Sequence, residues 1–251
     1  LTSWRDDAAS MRFFTIFLFI CFTQLSWSST KPNVILVMAD DQGWGQTGYY
    51  NHPVLKTPHL DAMAKAGLRF DRFYAGGPVC SPTRATVLTG RTHDRTGVFD
   101  HGYALRSQEK TLAAAMQKTG YASGHFGKWH LGAHRDYGPK KQGFEEFFGI
   151  RDGFIDNYNH YFLHGTGFHD LYEGTKPVKA PGKYFPELMT ERALDFIHES
   201  KDKPFFLYFP LNIPHYPEQA PEKFAEPFKD MKDPARKSYA TIMYATDHYI
   251  G

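Results

Sequence analysis

The run Cys80-Ser81-Pro82-Thr83-Arg84, continuing as Ala85-Thr86-Val87-Leu88-Thr89-Gly90-Arg91, joins a thiol to a guanidinium four residues on. Pro82 near the front and Gly90 at the end frame a helix over 81–89. A helix N-terminus presents unpaired backbone N–H groups and favours an anion. A spacing of four is about one turn, so Arg84 can point back to the end that carries Cys80. Two further groupings have chemical potential. Asp40-Asp41 is an adjacent carboxylate pair, two hard oxygen donors that suit Ca²⁺ or Mg²⁺ better than Zn²⁺. Lys128, His130 and, farther on, His215 add cations and proton carriers. Taken singly, each has a plainer competitor: a packed thiol beside a surface cation, or an aspartate turn or cap. A thiolate hydrolase pairing Cys80 with His130 and His215 is another reading, but no local signature of a cysteine protease accompanies it.

These residues need elements to bring them together. Residues 33–40 (Asn-Val-Ile-Leu-Val-Met-Ala-Asp) are a continuous apolar run, the pattern of a strand buried on both faces. Thr57-Pro58 opens a helix through Leu60, Met63 and Ala64 that Gly67 closes. Residues 68–74 read as another strand, 111–119 as a helix closed by Gly120, and 121–126 as a strand. The segment 132–183 is rich in Gly, His, Tyr and Asn with weak periodicity, and reads as loops and short elements that shape a pocket. A helix follows at 186–200, with Leu188, Leu194 and Ile197 on one face. A strongly apolar strand at 204–211 and a helix at 238–249 complete the pattern. Strands alternating with helices predict one α/β domain with a mostly parallel sheet. Asp40-Asp41, Lys128 with His130, and His215 each follow a predicted strand. Open α/β sheets bind ligands outside the carboxyl ends of their strands, so these distant residues are expected to converge.

With 251 residues, 41% hydrophobic and 22% charged, the chain can bury a substantial core. A net charge of +2 gives no sign of a dedicated nucleic-acid surface. The 16% aromatic content serves core packing or a carbohydrate cleft. Residues 11–28 read as a signal peptide: Met11-Arg12, an apolar centre over 13–22, and Ser26-Trp27-Ser28 for cleavage. The apolar run is too short for a comfortable membrane span, so export to a periplasm or the medium is expected, with no stable membrane insertion after cleavage. Residues 1–10 precede Met11 and resemble translated upstream sequence. Cys21 would leave with the signal, and Cys80 would remain as a thiol with no partner in its own chain, in an oxidising compartment.

Cys80-Ser81-Pro82-Thr83-Arg84 with Leu88-Thr89-Gly90-Arg91 resembles the signature of the type I sulfatases. Four other blocks support the resemblance in order along the chain. The run 33–41 is similar to the family's opening strand and paired metal-binding aspartates. Thr57-Pro58-His59-Leu60-Asp61 with Gly67-Leu68-Arg69-Phe70 resembles its first helix and next strand. Gly127-Lys128-Trp129-His130-Leu131-Gly132 resembles its lysine–histidine element, and Pro214-His215-Tyr216-Pro217 its substrate-binding histidine. The likeness runs from about residue 31 to 251.

The resemblance implies an alkaline-phosphatase-like α/β sandwich, with a mostly parallel sheet flanked by helices. It implies that a separate maturation enzyme oxidises Cys80 to formylglycine, whose hydrate attacks the sulfur of a sulfate ester. Asp40, Asp41 and the converted Cys80 would hold Ca²⁺ or Mg²⁺. Arg84 and His130 would hold the hydrate, and Lys128 and His215 the sulfate oxygens. His215 would also protonate the leaving alcohol. The family draws further metal ligands, an Asp-Asn pair, and another lysine from a strand well downstream of His215. Residues 29–251 are therefore expected to be the N-terminal part of a catalytic domain, truncated at its C-terminus and inactive alone. The substrate would be a sulfated small molecule or glycan. Two alternatives remain: a formylglycine-dependent phosphonate or phosphodiester hydrolase, and a non-catalytic binder of sulfated glycans.

Overall fold

Strand residues 205–214 alternate between two apolar surroundings, and that alternation organises the molecule. The computed structural model describes residues 31–165 and 167–251; the proposed signal peptide with Cys21, and residues 1–10, lie outside the described residues. The sheet contains β1 (Val34–Asp40), β2 (Ala122–Lys128), β3 (Glu146–Ile150), β4 (Tyr172–Glu173), β5 (Lys176–Pro177) and β6 (Phe205–Pro214), in the order β1-β6-β2-β3-β4-β5. The pairs β1–β6, β6–β2 and β2–β3 are parallel, and the small β4–β5 hairpin adds an antiparallel edge. The helices that matter for the site are α1 (Pro58–Ala66), α2 (Cys80–Thr89), α3 (Leu112–Lys118), α4 (Phe185–Glu199) and α5 (Pro234–Ile250).

On one face of β6, Phe206 and Tyr208 join Leu88 of α2, Ala113 of α3, Trp129 and Phe144. On the other, Phe205, Leu207, Phe209, Leu211 and Ile213 pack with Met189 and Phe196 of α4 and Ile242 of α5. A strand flanked on both sides by parallel neighbours and covered on both faces carries apolar residues at every position. Gly127 lets β2 approach β6 closely. Its φ is +137°, and a Cβ there would sit 2.1 Å from the Pro210 carbonyl oxygen. Helix α1 is capped from a distance, since the Asp247 carboxylate of α5 accepts the His59 and Leu60 N–H groups at 3.1 and 2.8 Å.

Several expectations are corrected. β1 forms as predicted but is an edge among the described residues. Val34, Leu36 and Met38 pack on the α2 side, while Ile35 on the other face is 52% exposed. Residues 68–74, read as a strand, are irregular, with Leu68, Phe70, Phe73 and Tyr74 exposed. An extended segment becomes a strand only when a neighbour pairs its backbone groups, and no described strand lies beside this one. Within 132–183, β3 is an interior strand, buried over Phe147–Ile150. The face of α4 turned inward is Phe185, Met189, Ala193 and Phe196, whereas Leu194 is half exposed. Among the described residues no helix is long and apolar enough to cross a membrane.

Candidate active site

Because β1, β6 and β2 run parallel, their carboxyl ends reach one edge of the sheet, and Asp40 stands opposite Pro214 in register. The chain turns sharply just beyond two of these ends. Asp41 (φ +61°) and His130 (φ +54°) are both left-handed, a conformation that costs non-glycine residues of order 1–3 kcal/mol and clusters at functional sites. Helix α2 brings its N-terminus to the same edge. Ser81 Oγ donates to the His130 carbonyl at 2.6 Å and accepts from Gly102 N–H at 2.9 Å. This single hydroxyl ties the Cys80 turn to both neighbouring loops.

Three buried charges meet beneath. Arg84 Nη2 donates to Asp40 Oδ1 at 3.1 Å, Arg84 Nη1 to the Lys128 carbonyl at 2.8 Å, and Lys128 Nζ to Asp40 Oδ2 at 2.6 Å. Arg84 is 1% exposed, Lys128 0% and Asp40 4%. Burial alone would raise the Asp40 pKa. The ammonium of Lys128, then Arg84 and His215, outweigh it and hold the carboxyl well below the usual carboxylate range. With two cations and one anion, the cluster has one surplus positive charge in a poorly solvated place. That favours an arriving anion.

His130 is kept neutral: burial, then Lys128 and Arg84, push its pKa down to about 2. Gly153 lies against the ring, where a Cβ would come within 3.1 Å of Cε1 and Nε2. His215 stands on the β6 exit. Its Nδ1 donates to the Tyr216 carbonyl at 2.5 Å, its Nε2 lies 3.5 Å from Asp41 Oδ2, and its ring stacks on Phe154 with centroids 5.5 Å apart. A buried amide network holds this loop. Asn212 Nδ2 donates to Asn157 Oδ1, Asn157 N–H to Gln219 Oε1, and Gln219 Nε2 to Asp156 Oδ2, each at 2.7 Å.

Asp40, Asp41, Cys80, Thr83 and Arg84 line one cavity of about 270 Å³. The residues singled out in the sequence are thus brought together: these share the cavity, Lys128 supports it from below, and His130 and His215 flank it through Ser81 and Asp41. Two features had no sequence signal strong enough to find them. One is the Asn157–Asn212–Gln219 network, whose members are far apart in the chain. The other is His101, whose Nδ1 lies 3.5 Å from Cys80 Sγ and whose ring stacks against His130. It sits in a short Phe-Asp-His-Gly-Tyr turn with no periodicity.

The donor set fits a hard divalent cation in kind. Asp40 keeps lone pairs beyond those bonded to Arg84 and Lys128, and Asp41 is 62% exposed. It falls short in number, since among the described residues no cluster of three or more metal-ligating side chains forms, against the six to eight oxygens that Ca²⁺ takes. Among the described residues, Arg84 Nε and His130 Nδ1 are buried without a hydrogen-bond partner.

Residues 32–251 match the Sulfatase family model. The chain belongs to the sulfatase family. It is 34% identical to human N-acetylgalactosamine-6-sulfatase over 224 residues, covering 79% of this chain and 42% of that protein. It is 35% identical to rat arylsulfatase G over 254 residues, covering 88% of this chain and 47% of the relative. The chain therefore spans less than half the length of these curated sulfatases. Among solved structures, Ps i-CgsB in complex with k-i-k-neocarrahexaose superposes with a TM-score of 0.81 at 29% identity, covering 88% of this chain and 54% of that one. The parallel sheet flanked by helices is the alkaline-phosphatase-like sulfatase fold, as the type I signature at Cys80 implies.

Proposed function

We propose that the protein hydrolyses sulfate esters with a formylglycine made from Cys80 and a divalent cation, Ca²⁺ or Mg²⁺, on Asp40 and Asp41. The observation that carries this reading is the meeting of Cys80, on the first turn of α2, with Asp40, Asp41 and Arg84 in one cavity over a cluster holding a surplus positive charge. A divalent cation held by Asp40 and Asp41 would lower the pKa of a hydroxyl on the converted Cys80 side chain and so supply an oxygen nucleophile at neutral pH. Arg84 and His130 hold that group from the inner side. Lys128 and His215 bind the sulfate oxygens, and the fixed cations stabilise charge that grows in the transition state. His215, on the more open side, delivers a proton to the departing alcohol. Neutral His130 is the acceptor for the proton released when sulfate leaves, the negative charge of the bound sulfate offsetting the Lys128 and Arg84 cations that depress its pKa.

A metal shell of two carboxylates requires further oxygen donors, and residues 29–251 serve as one part of the catalytic unit. The alcohol is a sugar. A hexasaccharide bound to Ps i-CgsB and the N-acetylgalactosamine named for the human relative support this choice. Export through residues 11–28 and maturation by a formylglycine-generating enzyme belong to the same reading.

The test is mass spectrometry of the Cys80 peptide from full-length protein expressed with a maturation enzyme. The peptide is expected to lose the thiol sulfur and gain oxygen in step with sulfatase activity, and Cys80→Ala to lose turnover with its fold intact. Full activity from an unmodified peptide would overturn the mechanism. Preferential cleavage of phosphonates or phosphodiesters by the matured protein would replace the sulfate assignment.

A further inference from the structure

His101 is a second imidazole at Cys80, exposed where His130 is buried. Its ring lies 26° from parallel with His130 at a centroid separation of 6.2 Å, and its Nδ1 is 3.5 Å from Cys80 Sγ. The two histidines differ in their surroundings. His130 is 6% exposed, whereas the His101 side chain is 59% exposed. The exposed ring is held from behind. The His101 N–H donates to Asp100 Oδ1 at 2.7 Å, and Gly102, left-handed at φ +72°, turns its N–H onto Ser81 Oγ at 2.9 Å. Phe99 and Tyr103 flank it, 57% and 48% exposed, with their rings edge to face at 6.2 Å.

The arrangement constrains how an ester can lie. Arg84, Lys128 and His130 occupy the inner side of Cys80, so a charged sulfuryl group is drawn inward. The carbon skeleton attached to it then lies toward solvent, and His101 is an exposed imidazole within 3.5 Å of Cys80 Sγ on that side. A turn that exposes one imidazole and two aromatic rings suits a sugar, with polar hydroxyls at its rim and C–H groups on its faces. On this basis we infer that His101 is a substrate-contacting residue that binds the sugar carrying the sulfate, with Phe99 and Tyr103 as the apolar part of the same subsite. The inference rests on the sulfate-ester reading and goes beyond it by assigning the alcohol side to a particular loop.

The test measures binding before chemistry. In full-length Cys80→Ala protein, a sulfated oligosaccharide is titrated calorimetrically with and without His101→Ala. Loss of one hydrogen bond plus ring contact is expected to weaken binding by about tenfold or more, and His101→Asn, which keeps a donor, to recover part of it. In the matured protein, His101→Ala should lower kcat/KM further for the oligosaccharide than for 4-nitrophenyl sulfate, whose alcohol is small. Equal affinity with and without the imidazole, or equal kinetic losses on both substrates, would overturn the role of His101 while leaving sulfate hydrolysis standing. A Cys80→Ala protein that binds no sulfated sugar would remove the reading beneath it as well.

Discussion

Replacing Asp40 and replacing Lys128 should affect stability very unequally, although the two side chains share one hydrogen bond. Asp40→Asn leaves Arg84 and Lys128, 1% and 0% exposed, facing each other without an anion. Removing one partner of a buried pair costs about 3–5 kcal/mol, and here two cations lose the same partner, so the upper part of that range is expected. Lys128→Met instead removes a cation from a cluster with one too many. Asp40 keeps Arg84 Nη2 at 3.1 Å, and the buried net charge falls from one positive to zero. The charge-assisted bond that disappears is worth about 1.5–3 kcal/mol. Relief of the Arg84–Lys128 repulsion offsets much of that, for a net loss of about 1.5 kcal/mol or less. Urea titration of the full-length protein at neutral pH, with a chelator present so that no cation interacts with Asp40, separates the two variants. Equal destabilisation would refute the charge accounting. The pH dependence has a defined sign. The folded Asp40 pKa lies below the unfolded 3.8, so its contribution is complete above 3.8 and is lost as pH falls through the folded value. The gap between wild type and Asp40→Asn should therefore persist at neutral pH and close only in strong acid.

His125 sits buried among Trp129, Phe144, Phe147 and Tyr208, and burial, then Arg84, push its pKa down to about 3. Below an unfolded pKa near 6.5 the unfolded chain takes up a proton that the folded chain refuses, so stability falls by about 1.4 kcal/mol per pH unit for this group. His125→Phe should remove that slope in urea titrations between pH 6 and 4.5; an unchanged slope would show that His125 is not the group refusing the proton. Gly127→Ala would place a Cβ 2.1 Å from the Pro210 carbonyl oxygen, so a loss of about 3 kcal/mol or more is expected from strain between β2 and β6, read as a lower thermal midpoint. Asn157→Ala strands Asn212 Nδ2 at a buried position and loosens the His215 loop. Turnover should fall by about a hundredfold for a displacement near 1 Å, whereas a kcat equal to wild type would dissociate that network from catalysis.

Much of the fold was legible because two signals agreed along the chain. Apolar runs over 33–40, 121–126 and 204–211 marked the strands, and the Pro82–Gly90 frame marked α2. Parallel pairing then required their carboxyl ends to meet, which is why Asp40, Lys128 and His215 could be grouped before any distance was known, with Arg84 joined to them by the resemblance of its motif. Local pattern failed where the outcome depended on neighbours. Residues 68–74 are apolar enough to read as a strand but have no described strand to pair with. β3 is short and contains Gly149, so its pattern is weak, yet β2 supplies the pairing that makes it a strand. For α4, several apolar residues competed for the inward face, and packing against β2 and β6 chose Met189 and Phe196 over Leu194. His101 was invisible for a different reason. Nothing within a five-residue turn reveals that Gly102 will be fastened to Ser81.

The site is built on two kinds of support, and they divide its work. Groups facing the reacting end come from strand ends and the first turns of α2, and they are fastened to backbone atoms. Arg84 donates to the Lys128 carbonyl and Ser81 to the His130 carbonyl, so neither can shift without moving β2 or its exit. Such groups hold a geometry that tolerates little error. The outer groups, His101 and His215, ride on loops held by side chains: Ser81 Oγ for one, the Asn157–Asn212–Gln219 network for the other. A loop fastened through side chains can be altered by a few substitutions without disturbing the sheet. On the proposed reading, the charge cluster would fix where a sulfuryl group binds, while the loops bearing His101 and His215 would be where selectivity for the attached alcohol can change independently.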